Sequence, residues 1–125
     1  LVAKKAVALG MDVVIYTNEV KEKHQRWKAT FSLEHLYSSC DFVSVNIPAT
    51  PFTVRTVNYD LISKMPKGGC LINTARKEII CEDGLEKALA ERPDLKYGTD
   101  IAPERYAEFK EKFGITPSEY ARSVR

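Results

Sequence analysis

The sequence predicts a doubly wound α/β domain built on a parallel sheet, and three observations carry that expectation. Segments with helical spacing alternate with short apolar or β-branched runs along the chain, the pattern of strand–helix–strand units. One run, Cys70-Leu71-Ile72, is apolar at every position, as a strand covered on both faces is. Polar residues also collect where the strands end: Thr17, then Asn46 to Thr50, then Asn73 to Arg76, then Asp100. In a parallel sheet those ends share one edge, and ligands bind in the crevice outside it.

The elements follow in order. Residues 1–9 place Val2, Ala6 and Leu9 on one helical face, with Lys4 and Lys5 off it. Gly10 suits the carboxyl-terminal cap. Val13 to Tyr16 are β-branched or aromatic and read as a strand, ended by Thr17-Asn18-Glu19. Residues 19–28 are highly charged and read as exposed. Phe31 to Leu36 suggest a short helix with Ser32 as its cap. Asp41 leads into a strand over Phe42–Ile47, which Pro48-Ala49-Thr50-Pro51 stops, since proline cannot continue a central ladder.

Tyr59 to Met65 form a helical segment, and the Pro66–Gly69 turn introduces the strand through Asn73. Ile79 and Ile80 give a small apolar patch in a loop. Asp83 and Glu86 resemble a helix-start box, with Leu85, Ala88 and Leu89 following on one face. Arg92-Pro93-Asp94 ends that helix, and Leu95 to Thr99 form a strand with Asp100 at its tip. Tyr106, Phe109 and Phe113 lie at helical spacing. Thr116-Pro117-Ser118-Glu119 is a capping box with proline at the first helical position. Each crossover is expected to be right-handed. No internal repeat occurs.

The 125 residues suffice for one domain with a core. A hydrophobic share of 44% and a charged share of 29% are those of a soluble globular protein. The net charge is +2, and lysines interleave with glutamates around Lys21 and Lys112. Such runs are solvated faces and make no case for a nucleic-acid partner. No apolar stretch is long enough to span a bilayer, so no membrane is expected. Cys40, Cys70 and Cys81 are odd in number and widely spaced, so no metal site is expected. Cys70 reads as a core residue. Cys40 and Cys81 read as free thiols of a reducing compartment, hence a cytoplasmic protein. His24 and His35 read as surface residues. Without an initiator methionine or a signal peptide, and beginning inside a helix, the chain reads as a fragment.

From spacing alone Arg76 has two readings: a surface arginine in a loop, or a fork able to donate two hydrogen bonds to a carboxylate. A resemblance bears on that choice. Asp41-Phe-Val-Ser-Val-Asn-Ile-Pro-Ala-Thr50, Met65-Pro-Lys-Gly-Gly-Cys-Leu-Ile-Asn-Thr-Ala-Arg76 and Tyr97-Gly-Thr-Asp100 resemble, in order and interval, the D-isomer-specific 2-hydroxyacid dehydrogenases. The resemblance runs from Leu1 to about Pro103 and is closest in pattern to the D-3-phosphoglycerate dehydrogenase group.

The resemblance implies a Rossmann-like domain over residues 1–125 that binds NAD. It places the first strand and the glycine-rich loop before Leu1, and a separate substrate domain outside this chain. Arg76 then matches the catalytic arginine, which holds the carboxylate of a 2-hydroxy or 2-keto acid. Pro48 and Thr50 line the cofactor cleft. Thr74, Ala75 and Arg76 pass beside the nicotinamide and its ribose, and Asp100 accepts from the nicotinamide carboxamide. Thr17 and Asn46, at their strand ends, complete the expected cofactor-binding set. The family's general acid/base, usually a histidine, is expected beyond Arg125.

Three departures from the pattern stand out. Thr17 occupies the place of an acidic residue that binds the adenosine ribose, which leaves NADP open beside NAD, with Lys21 or Lys23 within reach of a 2′-phosphate. Lys77 stands where glycine usually follows the arginine. Arg105 occupies the place of a catalytic glutamate, with Glu104 one residue early. The reading is therefore the nucleotide domain of an NAD-dependent D-2-hydroxyacid dehydrogenase, with 3-phosphoglycerate in serine synthesis as the finer expectation for its substrate and a homodimer for its full-length form. The alternative is a non-catalytic NAD(H)-sensing protein of the same fold.

Overall fold

A computed structural model describes residues 1–16 and 27–101. The expectations for Thr17, for residues 18–26 and for the helices at residues 106–113 and 116–125 lie outside the described residues, as do those for Glu104 and Arg105.

Helix α1 (Val2–Ala8) leads to strand β1 (Val14–Tyr16), and strand β2 (Lys28–Thr30) precedes helix α2 (Leu33–Ser39) and strand β3 (Phe42–Val45). Helix α3 (Tyr59–Ser63), strand β4 (Cys70–Asn73), a 3-10 turn (Lys77–Ile79), helix α4 (Glu82–Glu91) and strand β5 (Lys96–Thr99) follow. Among the described residues all strand pairs are parallel, and helices α3 and α4 lie in the crossovers of β3, β4 and β5. Pairing falls into two groups, β1-β2 and β3-β4-β5.

Local chemistry explains where the elements begin and end. Gly10 has φ +84°, its N–H donates to the Val7 carbonyl at 3.0 Å, and the Met11 N–H donates to Ala6 at 3.1 Å. That bond pair is the Schellman closure of a helix. The apolar face expected for α1 is not the covered one: Val2 and Leu9 are exposed, and Ala3, Ala6 and Val7 are half-buried. Ser32 caps α2 as expected, accepting from the His35 N–H at 3.2 Å. Asn58 does the same for α3, accepting from the Leu61 N–H at 3.1 Å. Helix α4 starts at Glu82, one residue before the expected box, and no side chain caps it. Glu82 and Asp83 place negative charge at its positive end instead.

Strand β2 was not expected, because residues 19–28 read as an exposed charged stretch. It pairs Lys28, Ala29 and Thr30 with Val14, Ile15 and Tyr16 through the main chain, and two of its three side chains are exposed. Ile79 and Ile80 also differ from expectation. They are not a loop patch but core residues, 0% and 4% exposed. With Val43, Val45, Leu71 and Tyr97 of the sheet they join Leu61, Ile62, Leu85, Ala88 and Leu89 of α3 and α4 in one apolar cluster. Cys70 is buried as expected, and all three cysteines are free. Burial pushes the Cys70 thiol up, with Lys96 acting the other way.

Two devices hold α3 and α4 against each other. The Arg92 guanidinium donates to the carbonyls of Ser63 (3.0 Å) and Met65 (2.7 Å) and to both carboxylate oxygens of Asp94. Asp94 in turn accepts from the Gly68 N–H at 2.9 Å. Gly84 lets α4 approach the start of α3 closely, since a Cβ there would stand 2.6 Å from the Tyr59 nitrogen.

Candidate functional site

The register of the three-stranded group fixes the geometry of the edge. Val45 pairs with Asn73 and Asn73 with Thr99, so the strands end level. The next residues, Asn46, Thr74 and Asp100, therefore leave the sheet side by side. All three are exposed, while the residues they follow are buried. The alternation of apolar and polar residues along the chain produces this edge: the buried strand interiors drive the sheet together, and the polar ends stay in water.

After β3 the chain turns at once. Thr53 Oγ1 donates to the Pro48 carbonyl at 2.6 Å, and the Thr50 N–H donates to Thr53 Oγ1 at 2.8 Å. The two threonine hydroxyls lie 3.2 Å apart. The N–H groups of Thr53 and Val54 both donate to the Thr50 carbonyl at 3.0 Å. Thr56 Oγ1 donates to the Thr53 carbonyl at 2.6 Å. Pro48 and Thr50 are thus the first half of a rigid polar turn whose fixing residue, Thr53, was not singled out from sequence. Its signal was the pair of threonines three residues apart behind a proline, a side-chain-to-backbone turn. Asn46 folds back, with Nδ2 donating to the Ser44 Oγ at 3.0 Å and carbonyl at 3.2 Å.

After β4 the chain is held from inside. Asn73 is 0% exposed. Its Oδ1 accepts from the Ala75 N–H at 3.0 Å, and its Nδ2 donates to the Arg76 carbonyl at 3.0 Å. Thr74 and Arg76 are exposed, Ala75 half-buried. Arg76 has extended backbone, φ −145° and ψ 141°, and opens the 3-10 turn. One guanidinium nitrogen, Nη1, donates to the Ala75 carbonyl at 2.8 Å; the group carries five N–H donors in all.

The loops after β3 and β4 are also joined to each other. The Arg55 N–H donates to Glu78 O at 2.8 Å, Val57 to Ile79 at 3.1 Å, and Cys81 to Val57 at 2.8 Å, with a parallel bridge between Val57 and Ile80. Arg55 adopts φ 59° at this junction, and its Nη2 lies 3.4 Å from Cys81 Sγ.

At the end of β5, Thr99 Oγ1 donates to the Asn73 carbonyl at 2.7 Å and accepts from the Ile101 N–H at 3.1 Å. This ties the backbone on both sides of Asp100 to β4. Burial raises the neighbouring Tyr97 hydroxyl above its ordinary value, while the polar side chains of Thr99 and Asn73 beside it act in the opposite direction.

Of the expected site residues, the structure thus brings Asn46, Pro48, Thr50, Thr74, Ala75, Arg76 and Asp100 to one edge, and Thr17 lies outside the described residues. His35 is exposed on α2. Among the described residues no three His, Cys, Asp or Glu side chains are placed to hold a metal, and no helix is long and apolar enough to cross a membrane.

A parallel sheet with helical crossovers, its polar strand ends level along one exposed edge, defines a dinucleotide-binding α/β domain of the Rossmann type. The model of the D-isomer-specific 2-hydroxyacid dehydrogenase NAD-binding domain matches residues 1–117, and the chain belongs to that family. D-3-phosphoglycerate dehydrogenase of Haemophilus influenzae is 38% identical over 112 residues, which cover 90% of this chain and 27% of the relative.

The NAD+-bound 3-phosphoglycerate dehydrogenase of Entamoeba histolytica superposes with a TM-score of 0.80 at 34% identity, covering 96% of this chain and 39% of that one. The NAD-dependent formate dehydrogenase of Staphylococcus aureus, solved with NAD, gives 0.71 at 32% identity, covering 80% and 30%. The chain spans between a quarter and two-fifths of the length of these proteins. It is an NAD-binding domain. The exposed edge fits such a cofactor by its donor set: neutral amides and hydroxyls at Asn46, Thr50 and Thr74, a carboxylate at Asp100 and a cation at Arg76.

Proposed function

We propose that this chain is the nucleotide-binding part of an NAD-dependent D-2-hydroxyacid dehydrogenase and that Arg76 is its catalytic arginine. The observation that carries the reading is the common register of Val45, Asn73 and Thr99. It sets Arg76 and Asp100 on one edge beside the turn of Pro48 and Thr50.

In this reading the cofactor-binding set is Thr17, Asn46, Pro48, Thr50, Thr74, Ala75, Arg76 and Asp100. Asp100 would hold the nicotinamide by accepting a hydrogen bond from its carboxamide. The Thr50 and Thr74 hydroxyls are partners for ribose oxygens. NAD, when bound, takes or gives the hydride. Arg76 forks two hydrogen bonds onto the substrate, holding its carboxylate and drawing charge toward the carbonyl oxygen. Fixing the reacting carbon over the cofactor converts a chance encounter into a positioned one. The buried strands under Thr74 and Asp100 keep this arrangement rigid without help from the ligand.

The finer identity we propose is a 3-phosphoglycerate dehydrogenase of serine synthesis, a cytoplasmic homodimer in its intact form. The support is the named activity of the relatives from Haemophilus influenzae and Entamoeba histolytica. The test is nicotinamide absorbance of the intact protein with 3-phosphoglycerate, formate, glyoxylate and D-lactate, using NAD(H) and NADP(H) separately. Turnover with 3-phosphoglycerate supports the finer reading, and turnover with another acid corrects the substrate. Silence with all four, while NADH still binds by fluorescence titration, replaces the enzyme with a cofactor sensor. In the active protein, Arg76→Ala is expected to lower kcat/KM by about 10²–10⁴-fold, the loss of two charge-assisted hydrogen bonds. NADH affinity is expected to change little. Near-normal turnover of that variant would refute the role of Arg76.

A further inference from the structure

The buried carboxamide behind the arginine has a geometry that packing alone does not require. Asn73 is fully buried at the last position of β4, with the Tyr97 hydroxyl of β5 beside its side chain. Both polar atoms reach forward along the chain. Oδ1 takes the Ala75 N–H and Nδ2 gives to the Arg76 carbonyl, each at 3.0 Å. The same residue's main-chain oxygen accepts the Thr99 hydroxyl at 2.7 Å, and that hydroxyl also accepts from the Ile101 N–H. One buried residue therefore fixes the backbone on both sides of Asp100 and at both ends of the Ala75–Arg76 peptide.

We propose that Asn73 is a positioning residue that sets the direction of Arg76 and, through Thr99, its spacing from Asp100; this rests on the reading of Arg76 given above. A planar amide is the side chain that donates and accepts at once from this depth. A carboxylate of the same shape keeps the bond from Ala75 but faces the Arg76 carbonyl with like partial charge. A hydroxyl is too short to meet both groups. The Arg76 side chain rests on the Ala75 carbonyl, so a rotation of the Ala75–Arg76 peptide carries the guanidinium with it. Displacement of a substrate-holding group by an ångström costs about 10²-fold in rate.

The test is a double-mutant cycle in the intact protein, using whichever of 3-phosphoglycerate, formate, glyoxylate and D-lactate gives the highest turnover. Asn73→Asp is expected to lower kcat/KM by about 10²-fold. On the Arg76→Ala background the same substitution is expected to cost no more than about threefold, because there is then no guanidinium to misplace. A residue that merely supports the fold would multiply its loss onto Arg76→Ala, and that result overturns the proposal. So does an Asn73→Asp enzyme with unchanged kcat and KM.

Should Asn73→Asp show no cooperative unfolding transition, Thr99→Val decides. It removes the hydroxyl and keeps the shape, and a loss of about fivefold is expected, again absent from the Arg76→Ala background. No loss, or a loss that multiplies, overturns the proposal. Retained turnover in Arg76→Ala alone marks failure of the catalytic reading itself, and the proposal falls with it.

Discussion

Replacing Gly84 by alanine sets two effects of opposite sign against each other. Gly84 lies in the first turn of α4, where glycine costs helix stability. Relief of that cost by alanine is worth up to about 1 kcal/mol, and less near a helix end. Against this, the new Cβ would stand 2.6 Å from the Tyr59 nitrogen and 3.3 Å from the Asn58 carbonyl carbon and the Tyr59 Cα. Ordinary contact begins at 3.4 Å, so the gap must open by 3.4 − 2.6 = 0.8 Å. The opposing atoms are main chain at the capped start of α3, where Asn58 already holds the Leu61 N–H, so no side chain can swing aside.

Moving α4 away by that amount loosens Leu85, Ala88 and Leu89 from Leu61 and Ile62. Overpacking of this kind costs about 1–3 kcal/mol, or more. The clash therefore wins, with an expected net destabilisation of about 1–2 kcal/mol. Thermal unfolding of the intact protein, followed by circular dichroism at 222 nm, is expected to show Tm lowered by roughly 3–8 °C. A Tm that rises or stays level would show that helix propensity decides at this position and that α3 and α4 are not in backbone contact.

Two further outcomes follow from the clasp at Arg92. Arg92→Lys keeps the charge but cannot reach the Ser63 and Met65 carbonyls and both Asp94 oxygens together. A loss of about 1–3 kcal/mol is expected in urea unfolding, and a midpoint equal to that of the unsubstituted protein would refute the clasp. Asp94 gives a pH signature. The Arg92 side chain, then the Gly68 N–H, hold its carboxyl down at about 2, below the ordinary 3.8. A folded-state value below the unfolded one means stability present above about pH 4 and lost as pH falls toward 2. Asp94→Asn is expected to flatten that part of the acid limb in a Tm-against-pH series, and an unchanged limb would remove Asp94 as its source.

The strongest sequence signals were those in which side chains alone decide. The apolar run at Cys70–Ile72 needs cover on both faces, and β4 lies between β3 and β5. Ser32 announces a cap and Gly10 a left-handed turn, and both do what their chemistry allows. Strand β2 was hidden because its partner bonds are main chain and its side chains mostly face water. Ile79 and Ile80 were hidden for the opposite reason. Two adjacent apolar residues have no period, so nothing local says that a 3-10 turn drives them into the core. At the edge, the exposed residues of the candidate site were legible as polar residues after apolar runs, and Asn73 was read with them as a polar strand end. Its buried hold on the next turn was not legible, nor was Thr53, because their partners are backbone groups two to five residues away. That geometry exists only once the turns are closed.

The seam between the loops after β3 and β4 divides labour along the rim. Its stitches, Arg55 to Glu78, Val57 to Ile79 and Cys81 to Val57, are amide-to-carbonyl bonds, and they form whatever the side chains are. The outline of the rim is thus inherited from the main chain, while the exposed side chains stand on it like interchangeable type in a fixed frame. A lineage can recast the lettering at the exposed Phe52 or Val54 without resetting the frame. An inserted or deleted residue on either side of the seam has no such freedom, because it would put every later stitch out of step. For anyone redesigning this edge, substitutions along the rim are the cheap moves, and changes of loop length have to be made in pairs.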